Sequence, residues 1–105
     1  MTNVAHDRRP VENHFLQDEN GNPTGGYSEG EGFRIAWQNG VQVRQGAFLE
    51  EVLEACKARF EFFQSSKFAC LENEEAILGI NTALHWMLQR RHQRARRGVE
   101  GTYNP

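Results

Sequence analysis

The chain has 105 residues, of which 38% are hydrophobic and 25% charged, and a formal net charge of −2. A length of this order points to one domain that buries a limited fraction of its surface, a size at which oligomerisation is a natural way to complete a core. The composition excludes wholesale disorder, the lack of an 18-residue apolar run excludes a helical membrane span, and the overall charge argues against a general nucleic-acid coat.

The N-terminus, Met1-Thr2-Asn3-Val4-Ala5-His6-Asp7, has no apolar signal core, which predicts a cytoplasmic protein. Residues 1–31 are rich in Gly, Asn, Asp, Glu, Ser and Pro, and Asn20-Gly21, Asn22-Pro23 and Gly25-Gly26 are all turn or loop dipeptides. They predict an irregular arm, with Phe15, Leu16 and Tyr27 as its points of attachment. The rest, residues 32–105, is expected to form the main domain. In Phe33-Arg34-Ile35-Ala36-Trp37-Gln38 the large apolar residues alternate, as on one face of a strand. Asn39-Gly40 is a strong hairpin signal, and Val41-Gln42-Val43-Arg44 reads as the returning strand. A β-hairpin over 33–44 is therefore expected, and because an isolated hairpin is marginal it must pack on helices or on a partner's strands.

From Ala47 the period becomes helical. Phe48, Val52, Ala55, Arg59 and Phe63 form one stripe, and Leu49, Leu53, Cys56, Phe60 and Phe63 its neighbour. A second helix carries Ile77, Ile80, Leu84, Met87 and Arg91 on its apolar side, with Trp86 and Leu88 widening it. Helices over about 47–64 and 72–95 are separated by a short turn, so they must lie antiparallel. Gly98 suits the residue just beyond the second helix. Gly79, inside that helix, costs up to about 1 kcal/mol relative to Ala, and a close helix crossing would explain it. The fold class is α+β: an arm, a short β-hairpin and a long helical hairpin, with apolar stripes wide enough to favour an oligomer.

Cys56 and Cys70 lack zinc-site spacing and read as buried small hydrophobes. The signs of charge are segregated. Between Glu50 and Glu75 there are seven acids and three bases, whereas Arg90 to Arg97 holds five arginines and no acid. Arg90, Arg94 and Arg97 recur at i, i+4, i+7 on one helix face. Guanidinium offers forked donors that match phosphate oxygens, so this stripe is a candidate anion site. The competing reading is that basic residues in a last turn answer the negative end of the helix dipole. Among the aromatics, most of which read as core, Phe63 is the candidate for stacking on a nucleobase. Asn73 either caps the second helix, the better reading from sequence, or reads a base edge with its amide.

In one antiparallel hairpin Phe63 and Asn73 stand by the turn, while Arg90 and Arg94 stand at the far end. Two hairpins packed head to tail would bring the groups together, which places any shared pocket between subunits. His6, His14, His85 and His92 are scattered, and no nucleophile–base, metal-ligand or phosphate-loop motif is present, so neither catalysis nor a metal or cofactor is expected.

Three stretches, Gly32-Phe33-Arg34-Ile35-Ala36-Trp37-Gln38-Asn39-Gly40, Phe62 through Asn73, and Arg90-x3-Arg94-x2-Arg97-Gly98-Val99-Glu100-Gly101-Thr102, resemble the phage Thoeris anti-defence sponge proteins. The likeness is to the first such family, which shares a helical hairpin with the phage anti-CBASS sponges. It implies a protein that binds cyclic ADP-ribose isomers in the cytoplasm of the infected bacterial host and withholds them without hydrolysis. Phe63 would stack on the base; Asn73, Arg90 and Arg94 would hold base, ribose and pyrophosphate; Arg97, Gly101 and Thr102 would border the pocket. It further implies dimers and hexamers made of three dimers, and in some members separate sites for cyclic di- or trinucleotides, for which Arg44 and the strands are the only candidates here. Arg91-His92-Gln93 departs from the pattern by being more basic. Two other readings compete: a small nucleic-acid-binding regulator using the arginine helix, and a purely structural oligomerisation module.

Overall fold

Asp18 organises the first turn of the chain. Its carboxylate accepts hydrogen bonds from the Asn20 and Asn22 backbone N–H groups at 2.9 and 3.0 Å and from the Asn22 side-chain amide at 3.0 Å. These bonds, the Asn22 side chain first, hold the Asp18 carboxyl below its ordinary pKa. In the computed structural model, which describes residues 10–40 and 43–105, this turn joins two antiparallel strands, β1 (Glu12–Gln17) and β2 (Pro23–Gly30). A second reversal at Glu31–Gly32 leads into β3 (Phe33–Trp37), which pairs antiparallel with β2, giving the order β1-β2-β3.

Register sorts the side chains of this sheet. Asn13, Ser28 and Ile35 stand opposite one another on one face, and His14, Tyr27 and Ala36 on the other. On the first face the Trp37 indole donates to the Ser28 hydroxyl at 2.8 Å, and that hydroxyl donates to the Asn13 amide oxygen at 2.7 Å. The chain of bonds crosses all three strands, and Ser28 is the one buried residue among the described residues. On the second face the Tyr27 ring lies between the His14 ring, stacked at 4.6 Å, and the Arg34 guanidinium, 4.3 Å from its centroid. Arg34 is also paired with Glu29 at 3.0 Å.

Two expectations are corrected. The segment expected as an irregular arm supplies two of the three strands. Gly25-Gly26 reads as a loop dipeptide, yet Gly26 has φ +113 and any Cβ there would run into the His14 carbonyl. Glycine is what lets β1 come alongside β2. The returning strand over 41–44 is not formed by Val43 and Arg44, while Val41 and Gln42 lie outside the described residues. The Gln38 side chain organises this stretch instead: its amide donates to the Val43 carbonyl at 3.4 Å and its oxygen accepts the Gln45 and Gly46 N–H groups, both at 2.9 Å. Ala47 then forms a parallel bridge to Trp37, donating to the Ala36 carbonyl at 2.7 Å and accepting from Gln38 N–H at 2.9 Å. The edge of β3 is taken by Ala47. Gly40 still takes a turn conformation, at φ +52. The chain accordingly divides into compact units meeting at Ala47/Phe48, and the residues before position 32 belong with β3.

The second unit is the helical hairpin: α1 (Leu49–Gln64) and α2 (Leu71–Arg96), close to the expected ranges. At the start of α1 the Glu51 carboxylate accepts the Phe48 N–H at 2.9 Å, one half of a capping box. Val52, Leu53, Phe60 and Phe63 of α1 are half-buried, as are Ala76, Ile77, Ile80, Ala83, Leu84 and Met87 of α2. This is the 3.6-residue period that the sequence displays. Neither helix has a fully buried residue, and Phe62, Leu71, Leu78, Trp86 and Leu88 are exposed. No side chain lies within 4 Å of a Cβ built on Gly79, so the helix crossing expected there is not made within the chain. With 26 residues against 16, α2 outruns α1 by about 15 Å.

Candidate functional site

At the turn end of the hairpin, Gln64 ties the connection closed. Its side-chain oxygen accepts the Cys70 N–H at 2.9 Å and the Asn73 amide at 3.0 Å, while its amide donates to the Cys70 carbonyl at 3.1 Å. Asn73 also donates to the Phe68 carbonyl at 3.4 Å. The helix cap is Cys70, so Asn73 is not the cap that its position suggests; it sits three residues inside, where its amide can reach back over the turn. Its carbonyl oxygen accepts no hydrogen bond among the described residues. Gln64 is the residue that sequence reasoning missed. A glutamine at a helix end carries no signal until its partners across the turn are known.

Phe63 is half-buried, with Phe62 set edge-on at 6.1 Å. The Arg59 guanidinium lies over both rings, 4.9 Å from Phe63 and 5.3 Å from Phe62. Such a contact at an exposed site is worth about 0.5–1 kcal/mol. The turn end therefore offers an aromatic platform, a cation and an amide.

At the far end, α2 closes in a Schellman motif: Gly98, at φ +70, donates to the Ala95 carbonyl and Val99 to the Arg94 carbonyl. Gly98 thus takes the expected position. Arg94 is then committed to the tail, donating to the carbonyls of Asn104 at 3.0 Å, Val99 at 2.9 Å and Thr102 at 3.0 Å. Thr102 shapes the same turn, its hydroxyl donating to the Val99 carbonyl at 2.6 Å and accepting the Asn104 N–H at 3.2 Å. Gly101 supplies a positive φ of +76.

Arg90 and Arg97 differ. Their guanidiniums are exposed, with no hydrogen bond or ion pair among the described residues, and the same holds for Arg91 and Arg96. The stripe is therefore split into one arginine spent on backbone carbonyls and two whose donors are open. Both stand on the part of α2 that outruns α1. Asn73 and Arg90, seventeen residues apart on one helix, are separated by about 25 Å. Within a chain, the structure joins Phe63 to Arg59, Asn73 to Gln64 and Arg94 to Thr102, and it does not bring the two groups together.

Cys56 and Cys70 are free and exposed, not buried as expected: Cys56 falls outside the half-buried stripe of α1, and Cys70 lies in the turn. Among the described residues no group of His, Cys, Asp or Glu is placed to hold a metal ion, and no helix is long and apolar enough to cross a membrane. A shallow hollow on the sheet unit is lined by Glu12, Glu29 and Glu31 with Pro10 and Gly30; its carboxylates repel the anions that the arginines would attract.

The family model described as "Acb2/Tad1, hairpin domain" matches residues 29–91, more than half of the chain. The chain belongs to the Acb2/Tad1 hairpin-domain family. The match runs from the end of β2 through α1 to Arg91, so it takes in Phe63, Asn73 and Arg90 and stops short of Arg94, Arg97, Gly101 and Thr102. The chain is also 40% identical over 58 residues to a protein called "Thoeris anti-defense 1" from Bacillus phage SBSphiJ7, over 55% of this chain and 41% of that protein. The likeness thus spans about two fifths of the length of the curated relative. The resemblance carried by the three motifs holds at the level of the Acb2/Tad1 hairpin-domain family.

Proposed function

We propose that this member of the Acb2/Tad1 hairpin-domain family is a phage anti-defence sponge that binds a cyclic ADP-ribose isomer, such as glyco-cyclic ADP-ribose, inside the infected cell and withholds it unchanged. The observation that carries this reading is the pair of open guanidiniums, Arg90 and Arg97, on the overhanging end of α2. Unpartnered arginines in one place repel one another and gain most from an anion with several oxygens. The anion class is what the resemblance to the Thoeris anti-defence sponges implies, and the similarity to a protein called "Thoeris anti-defense 1" supports that resemblance.

Each site residue has a chemical role in this reading. Phe63 gives the base a ring to stack on, and the Asn73 carbonyl oxygen accepts from the base edge. Arg90 and Arg97 grip the pyrophosphate. Arg94 offers one remaining Nη1 donor and Nε, held in place because its other donors grip Val99, Thr102 and Asn104. Gly101 and Thr102 form the rim. None of these groups is a base or nucleophile at neutral pH: guanidinium stays protonated and an amide does not titrate. That chemistry favours binding without turnover.

The 25 Å between the two halves of the site requires two chains, packed so that the turn of one meets the arginines of the other. A two-fold dimer would then carry two sites, and three such dimers a hexamer. Exposed Phe62, Leu78, Trp86 and Leu88 are apolar surface for such packing. Withholding a signal at low concentration needs nanomolar binding, about −12 kcal/mol, within reach of stacking, charge-assisted hydrogen bonds and enclosure between subunits.

The test is capture and release. The protein is incubated with glyco-cyclic ADP-ribose and filtered, then denatured. Intact ligand recovered only after denaturation is the expected result. Degraded product would mean an enzyme, and ligand free in the filtrate would overturn the proposal. Cyclic di- and trinucleotides run in parallel ask whether the assembly takes CBASS signals as well. Preference for polynucleotide, with affinity falling steeply with salt, would instead identify a nucleic-acid-binding regulator. A strict monomer in sedimentation would contradict the shared site.

A further inference from the structure

We infer that Arg59 is a ligand-contacting residue of this site, closing over a purine stacked on Phe63 so that the base is held between the ring and the guanidinium. The inference rests on the proposed function for the presence of a nucleotide at Phe63; the role of Arg59 comes from its own surroundings. It lies one helical turn before Phe63, and i, i+4 spacing puts its guanidinium over that ring, 4.9 Å from the centroid. The second ring, Phe62, stands 5.3 Å away. The guanidinium makes no hydrogen bond or ion pair among the described residues, and Arg59 is exposed. Among the described residues it is held by two π faces alone.

A cation held this way can move at little cost. A base between Phe63 and the guanidinium needs a separation of about 7 Å, two stacking steps, against the 4.9 Å of the empty clasp. The flexible stem of Arg59 can supply the extra 2 Å or so by rotamer changes alone. Guanidinium is planar and weakly hydrated, and it stacks on bases as it does on aromatic rings. The contact it gives up with Phe63 is replaced by one of the same kind with the purine, and its five donors remain available to the ligand's ribose and phosphate oxygens. Ammonium has no plane, so lysine cannot take this place.

Glyco-cyclic ADP-ribose is titrated by calorimetry against the full-length wild type, Arg59→Ala, Arg59→Lys and Arg90→Ala, with sedimentation and thermal melting to show that each variant keeps its assembly and fold. The expected result is tight binding by the wild type, a loss of about tenfold in both Arg59 variants, the size of one stacking contact, and a far larger loss in Arg90→Ala. Lysine at 59 matching the wild type would mean that only the charge matters. Alanine at 59 binding as well or better would mean that Arg59 merely covers the ring. Either result overturns the inference and leaves the sponge reading intact. Failure of the wild type to bind would remove the sponge reading and the inference with it.

Discussion

The two ends of the helical hairpin solve the same problem with different chemistry. At the turn, neutral amides do the fastening: Gln64 makes three hydrogen bonds to Cys70 and Asn73, leaving an aromatic ring and a loosely held cation beside them. At the overhanging end a charged group does it: Arg94 holds three carbonyls of the tail, leaving Arg90 and Arg97 open. Each end thus has one residue tied into the fold beside side chains that keep an open face or open donors. Arg90 and Arg94, four apart on the same face, are partnered differently.

The sharpest way to break this contrast is to remove arginines singly. Arg90→Ala should abolish ligand capture, at about 2–5 kcal/mol of binding free energy, the usual cost of deleting one partner of an enclosed charge pair. Its melting temperature should stay within a degree or two, because Arg90 makes no hydrogen bond or ion pair among the described residues. Arg94→Ala should destabilise the tail by about 2 kcal/mol, since three charge-assisted bonds to partly solvated carbonyls are lost together. Amide hydrogen exchange at residues 99–104 should accelerate, and binding should weaken as a consequence. If both variants melted alike, the division of labour between them would be wrong. At the other end, Gln64→Ala should cost about 1–2 kcal/mol and loosen the turn, read as faster exchange at the Cys70 amide with α2 otherwise intact. The smallest effect concerns Asp18. Its folded pKa is depressed, so its contribution is present at neutral pH and is lost only as pH falls through that depressed value, below the ordinary carboxylate range. The Asn20 and Asn22 amide resonances should shift in that acid window while the helical circular dichroism holds. A shift at higher pH would show that Asp18 does not set the turn.

The helices were legible because burial on one side leaves a 3.6-residue trace, and Ile77, Ile80, Leu84 and Met87 show it plainly. β1 and β2 were not, for two physical reasons. All six β1 residues are exposed, so no buried face imposes alternation on them, and the glycines that permit close pairing in β2 are the same residues that mark loops. The strand expected after Asn39-Gly40 is not formed at Val43 and Arg44, where the Gln38 side chain instead donates to the Val43 carbonyl and accepts from the Gln45 and Gly46 N–H groups. Of the candidate site, the arginine stripe and the separation of its two halves could be read from spacing. Which arginine was spent on the tail could not, since that depends on where the Val99, Thr102 and Asn104 carbonyls fold back. Arg59 was visible only as a stripe member, because a clasp over two rings is a fact of side-chain placement.

The absence of a fully buried residue in either helix has a calorimetric consequence. Heat capacity of unfolding follows the apolar area newly exposed. A hairpin that hides little should therefore melt on its own with a shallow curve and weak cooperativity. If copies cover the remaining surface, the missing heat capacity appears on association. The melting temperature then rises with protein concentration and again with ligand, because both act on the folded assembly and not on the unfolded chain.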